Sequence, residues 1–221
     1  MEIYLDYNAT SPLRPEARRA MSESLERGFG NPSSPHWAGT EARARIDRAR
    51  GQVAAALGVE PEGIVFTSGA TEANNTVLHA VAMRMPQHGD HVVTCATEHP
   101  SVLEVAEGLR EAGLRVTVLP VGRDGRVDPE RFARALDQGA LLASIMWANN
   151  ETGILQPVPE LARIAHEHEV PLHTDAVQAL GKVPLALGSL PVDYAGVSAH
   201  KLGGPKGVGA LYVRPGLRLA P

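Results

Sequence analysis

Apolar positions along the chain follow two periods, and the two alternate. Short runs rich in β-branched residues read as strands: "GIVFTS" (63–68), "HVVTCAT" (91–97), "RVTVLPV" (115–121), "ALLASIMWA" (140–148), "VPLHTDA" (170–176), "YAGVSA" (194–199) and "GVGALYV" (207–213). Between most of them lie stretches with helical spacing: "TEANNTVLHAVAMRM", "SVLEVAEGLREAG", "DPERFARALDQ" and "VPELARIAHEHE". Ahead of the first strand, "PEARRAMSESLE" and "GTEARARIDRARGQVAAALG" predict two amphipathic helices, the second closed by Gly58. The loop between these two, "GFGNPSSPHWAG", is dense in Gly, Pro and Ser. Strand–helix alternation of this kind predicts an α/β fold: a mainly parallel sheet, right-handed crossovers and helices on both faces.

Open α/β sheets bind ligands beyond the carboxyl ends of their strands. The polar residues fall there. "TSGATEANN" follows "IVF", "EHPS" follows "VVTCAT", and "NNETG" follows "ASIMWA". Asp175 ends another strand with Gln178 one turn on, and Ser198, His200 and Lys201 follow "YAGV". Five polar strand ends at one sheet edge predict a single site.

Each candidate has a structural and a chemical reading. The Gly69 turn, with Thr71 and Glu72 opening a helix, makes an anion pocket or an ordinary N-cap at Thr71. No P-loop and no G-x-G-x-x-G follows a strand. Asp175 ends a buried strand and needs a partner, either a hydrogen bond to a neighbouring loop or a cationic ring nitrogen on a ligand. His99 is a packed or solvated side chain, or a proton carrier. "HEHE" (166–169) lacks H-E-x-x-H spacing and reads as a solvated helix end, so no metal is expected. In "SAHKLGGPKG", Lys201 sits on a glycine loop, where desolvation and cationic neighbours make an amine nucleophilic; Lys206 reads as structural or exposed. Taken together, a phosphate cradle, a carboxylate for a ring nitrogen and a reactive amine describe pyridoxal 5'-phosphate, held on Lys201 as a Schiff base.

Composition narrows the partners. The chain has 221 residues, 43% hydrophobic and 21% charged, with net charge −4, enough for a real core. The absence of a basic block argues against nucleic acid or an anionic membrane as the main partner, and for small molecules. A single cysteine, Cys95, excludes an internal disulfide or a multi-cysteine zinc site and fits a reducing cytoplasm. The N-terminal segment does not read as a signal peptide, and no run approaches a membrane span.

The segments "YLDYNATSPLRPEA", "GNPSSPHWAG", "TSGATEANN", "TEHPSV", "NNETG", "HTDAVQALGKVPL" and "SAHKLGGPKGVGALYVR" occur in this order. Together they resemble the cysteine desulfurases of the class V aminotransferase group, the type that feeds iron–sulfur cluster assembly, from about residue 3 to residue 221. The resemblance implies the large domain of a fold type I pyridoxal-phosphate enzyme at 16–221, preceded by an arm at 1–15. It also implies roles: Lys201 bonds the cofactor, and His99 stacks on the ring and acts in acid–base steps. Asp175 pairs with the ring nitrogen, and Gln178 contacts the phenolic oxygen. Ala70, Thr71, Ser198 and His200 hold the phosphate, and Asn150 lies near the cofactor and the substrate carboxylate. The implied reaction takes L-cysteine to L-alanine, passing sulfur to an enzyme cysteine and then to an acceptor or scaffold protein, in a homodimer.

The family chain is nearly twice this length, and its second half supplies a smaller domain, the nucleophilic cysteine and a substrate-binding arginine. Turnover by the 221-residue chain alone is therefore not expected. Cys95, read as sharing a strand face with His99 at roughly 13 Å, is expected to be a core residue and not that nucleophile. A selenocysteine lyase, an aminotransferase or a shortened non-catalytic paralogue would share the same cofactor-site residues; "GNPSSPHWAG" with "NNETG" favours the desulfurase over the first two, and nothing in the sequence separates it from the third.

Overall fold

A computed structural model describes residues 3–82, 89–217 and 219; the end of the predicted 71–85 helix lies outside these. Helix α1 (Pro15–Arg27) opens on proline, whose fixed φ suits a first turn, and buries none of its residues. Helix α2 (Trp37–Leu57) ends as the pattern predicts. Gly58 takes φ 67°, and its N–H donates to the carbonyls of Ala54 and Ala55.

Strands β1 (Ile64–Thr67), β2 (His91–Cys95), β3 (Arg115–Leu119), β4 (Leu142–Ser144), β5 (Leu172–Asp175), β6 (Tyr194–Ser198) and β7 (Gly209–Val213) form one sheet, ordered β1-β7-β6-β5-β4-β2-β3. β3, β2, β4, β5 and β6 pair in parallel. β7 is antiparallel to both β6 and β1, so β1 runs with the parallel set and only β7 is reversed. The reversal follows from the short "KLGGPKG" connection, which cannot make the long crossover a parallel neighbour needs.

The helices α3 (Ala70–Ala82), α4 (Pro100–Glu111), α5 (Pro129–Leu136) and α6 (Val158–Glu167) fill the crossovers. Side-chain alternation splits the interior into two cores. Val93 and Cys95 of β2 face one core with Leu57, Phe132 and Leu161 from α2, α5 and α6. Val92 faces the other, with Val77 and Leu78 of α3 and Val102 and Leu109 of α4. Helices thus cover both faces, and α3 and α4 lie side by side on one of them.

All seven strands are shorter than their expected runs, and the shortening of β2 and β4 shapes the site. β2 stops at Cys95, where the chain turns and the Glu98 N–H donates to the Cys95 carbonyl at 3.4 Å. Without that neighbour, β4 loses its ladder on one side after Ser144. Ile145 and Trp147 still donate to the carbonyls of His173 and Asp175 on β5, at 3.0 and 2.9 Å. The Met146 N–H, on the abandoned side, donates instead to Glu98 Oε1 at 2.6 Å. A buried carboxyl group substitutes for a strand carbonyl.

Candidate active site

The carboxyl ends of the strands open onto a cavity of about 470 Å³ on the α3–α4 side. Ala70, Thr71, His99, Asn150, Asp175, Gln178, Ser198, His200 and Lys201, from five separate segments, all line it. The sheet topology brings them together. β1, β2, β4, β5 and β6 point the same way, so the residues following them meet at one edge.

Between β1 and α3 the chain makes a tight turn. Thr67 Oγ1 donates to the Gly69 carbonyl at 2.9 Å, and the Glu72 carboxylate reaches back to the Ser68 N–H at 2.6 Å. The Ser68 side chain first, and its N–H second, hold the Glu72 carboxyl below its usual range. α3 begins at Ala70, and the Ala73 N–H donates to the Gly69 carbonyl. Thr71 is therefore inside the first turn and does not serve as the N-cap. The first-turn N–H groups have no helical carbonyl to reach and, with the helix dipole, favour an anion. Gly209 lets β7 approach this turn: a Cβ there would lie 2.6 Å from the Gly69 Cα.

Asp175 is 6% exposed, and burial raises its carboxyl group above the usual aspartate range. Its Oδ1 accepts from the Val177 N–H at 3.0 Å and its Oδ2 from Asn74 Nδ2 at 2.9 Å. The second proton on Asn74 Nδ2 goes to Ser101 Oγ at 3.0 Å, which in turn meets His99 Nδ1 at 2.8 Å. Among the described residues Asp175 has no ion-pair partner. The buried carboxyl group is hydrogen-bonded, and His99 and Lys201 act on it without forming an ion pair.

Lys201 enters from the 3₁₀ turn Ala199–Lys201, directly after β6. Its Nζ donates to the Asn8 carbonyl at 2.5 Å. Desolvation first, and then the nearby Lys182 ammonium, push the Lys201 amine below the ordinary lysine range. The N-terminal arm thus lies along the site. The Ser11 and Arg14 N–H groups donate to the carbonyls of His200 and Gly203, and Asn8 Nδ2 donates to the Asn150 carbonyl at 3.3 Å. Gln178 is oriented from both ends. Its Nε2 donates to the Asn8 carbonyl at 2.9 Å, and its Oε1 accepts from the Lys182 ammonium, which also reaches Asn8 Oδ1. Lys206 is exposed and touches the rim of the cavity.

Cys95 does not share a strand face with His99, because the chain turns between them. Its core placement holds nonetheless. Cys95 is fully buried, its Sγ donates to Glu98 Oε1 at 3.1 Å, and burial pushes the thiol far above its usual range. Glu98 is also buried, and its carboxyl group is pushed up to about 8 by desolvation. In "HEHE", α6 ends at Glu167, and His168 Nε2 meets Asp137 at 3.1 Å. Among the described residues no group of three or more His, Cys, Asp or Glu is placed to hold a metal ion.

Sequence reasoning passed over Asn74, Ser101, Glu98, Lys182 and Asn8. Helical spacing could have found one of them, since Asn74 lies four residues after Ala70 on the same face of α3. The others carry no local signal. Of the two asparagines in "NNETG", Asn150 lines the cavity. Asn149 instead fixes the loop, its Oδ1 accepting from the N–H groups of Glu151 and Thr152.

Residues 3–220 match the Aminotransferase class-V family. A cysteine desulfurase IscS of Dictyoglomus turgidum is 47% identical over 220 residues, covering 100% of this chain and 56% of the relative. A cysteine desulfurase of Mus musculus is 44% identical over 213 residues, 96% of this chain and 46% of its own. Among solved structures, a NifS-like protein superposes with a TM-score of 0.96 at 41% identity, over 100% of this chain and 61% of its own. SspA, solved in complex with cysteine, superposes with a TM-score of 0.95 at 34% identity, over 100% of this chain and 64% of its own. The chain spans about half the length of the curated relatives it matches.

Proposed function

This chain belongs to the class-V aminotransferases, and on that premise we propose that it carries the cofactor site of a pyridoxal-phosphate-dependent cysteine desulfurase. The reaction is conversion of L-cysteine to L-alanine, with the sulfur passed to a thiol. The observation that carries this reading is the convergence of three groups on one cavity: the α3 N-terminus, the Asp175 carboxylate and the Lys201 amine.

The residues fit the cofactor. A buried carboxylate with N–H donors and, among the described residues, no ion pair is matched by a protonated ring nitrogen. First-turn N–H groups beside Gly69, where an added Cβ would meet nothing within 4 Å, leave room for a phosphate. Ala70, Thr71, Ser198 and His200 would hold that phosphate, Asp175 the ring nitrogen, and Gln178 the phenolic oxygen. His99 would lie against the ring, and Lys201 would bond the aldehyde carbon. When bound, the group supplies a sink for the electrons left at the substrate Cα.

The chain's own residues then orient the substrate and move protons. Lys201, its amine pushed below the usual range by desolvation and by Lys182, is a better nucleophile and proton carrier than a solvated lysine. Asn150 receives the substrate carboxylate. Cys95 is buried beneath the site with a strongly raised thiol, so the sulfur goes to another thiol. SspA, with cysteine in its structure, favours L-cysteine over other amino acids as the substrate. A second copy of the chain and a sulfur-accepting protein are the partners this reading entails.

The test is borohydride reduction of the protein mixed with pyridoxal phosphate, followed by peptide mass spectrometry. The label is expected on Lys201. Label on Lys206 or Lys182, or on no lysine, refutes the assignment.

A further inference from the structure

We propose that Asn74 and Ser101 are positioning residues that lock His99 in the tautomer with its proton on Nε2 and tie the imidazole to Asp175. The use of His99 as a proton carrier rests on the function proposed above. The hydrogen-bond chain itself does not.

The direction of each bond is fixed in turn. Asp175 offers carboxylate oxygens, so the group that Asn74 turns toward Oδ2 at 2.9 Å is its amide Nδ2. The other proton of that nitrogen goes to Ser101 Oγ at 3.0 Å, so the hydroxyl oxygen is an acceptor. Its single proton is then free for His99 Nδ1, 2.8 Å away. The Ser101 backbone N–H also donates to Nδ1 at 3.1 Å, because His99 is the N-cap of α4. With two donors aimed at Nδ1, the neutral ring carries its proton on Nε2. Among the described residues Nε2 makes no hydrogen bond to protein, and His99 lines the cavity.

The interior keeps this arrangement rigid. Asn74, Asp175 and Ser101 are 0%, 6% and 8% exposed, so water does not compete for these bonds. Gly196 of β6 makes the space: a Cβ there would come within 2.5 Å of Asn74 Oδ1. The consequence is directional. His99 presents the cavity with a donor, so its first proton step is delivery from Nε2. A change in charge at Asp175 reaches His99 through two intervening side chains.

The experiment is long-range ¹H–¹⁵N correlation spectroscopy on cofactor-free protein with ¹⁵N-labelled histidine, His99 being assigned from a His99→Gln spectrum. The expected result is an unprotonated Nδ1 and a protonated Nε2. Ser101→Ala should move the Nδ1 resonance further downfield, as an acceptor nitrogen does on losing a donor, and Ser101→Thr should restore it. Asn74→Asp replaces the amide donor with an acceptor. It should draw the hydroxyl proton away from His99 and shift Nδ1 in the same direction as Ser101→Ala. The resonances of buried His173 and His91 report whether each variant is folded. A proton on Nδ1 in the parent protein overturns the proposal, as does an unchanged Nδ1 resonance in folded Ser101→Ala. Because no cofactor is present, this result and the borohydride result can fail separately.

Discussion

Glu98→Gln should flatten the pH dependence of stability between pH 5.5 and 7.5. Burial raises the Glu98 carboxyl group from an ordinary 4.5 to about 8, a separation of about 3.5 pH units. Below pH 4.5 the group is protonated in the folded and unfolded chains alike, and its contribution is fully present. As pH rises from 4.5 to 8, the unfolded chain releases the proton while the folded chain keeps it. Stability then falls by about 1.4 kcal/mol per pH unit, reaching roughly 5 kcal/mol across the window. Above pH 8 both states are ionised and the loss stops growing. Glutamine keeps an oxygen for the Met146 N–H but does not titrate. Its amide protons would face the place where Glu98 Oε2 has no partner, a cost of about 1–3 kcal/mol that does not vary with pH. The discriminating quantity is therefore the slope. In urea unfolding at matched ionic strength, the parent chain should lose about 2.7 kcal/mol more than the variant between pH 5.5 and 7.5. The raised carboxyl of Asp193 is common to both proteins and cancels in that difference, whereas the charge of Asp175 adds to the upward push on Glu98 and is counted with it. Parallel curves would mean that Glu98 is ionised in the folded protein, and the reading of it as a neutral stand-in for a strand carbonyl would be wrong.

Two further perturbations test the cavity. Gly209→Ala places a methyl 2.6 Å from the Gly69 Cα and should displace the turn before α3. In absorbance titrations, binding of pyridoxal phosphate should weaken far more than binding of pyridoxal, which lacks the anion; an equal loss would argue against a phosphate site there. Lys182→Met removes the ammonium that holds Gln178 Oε1. Cofactor affinity should fall on the order of tenfold, the size expected for one lost charge-assisted hydrogen bond, whereas unchanged affinity would make Lys182 a bystander.

The periodicity of the chain set out the α/β alternation, the Gly58 stop of α2 and the parallel sheet. These depend on neighbours a few residues apart. The same local logic put Asp175, Ser198, His200 and Lys201 at strand ends, and the sheet edge gathered them. Local spacing misjudged the places where one element depends on another. The apolar run 140–148 reads as one long strand, yet only Ala143 and Ser144 are paired on both sides, because β2 turns away after Cys95.

What the sequence determined by itself was which residues end strands and which begin helices, since backbone sterics and side-chain period act within one turn or one pleat. Tertiary structure decided what those residues touch. Asn74 and Asp175 are 101 positions apart, Met146 and Glu98 are 48 apart, and Asn8 and Lys201 are 193 apart. Burial at those meetings removes water as an alternative partner. Each polar atom must then bond the neighbour the fold supplies or stay unpaired, and no local pattern encodes that choice.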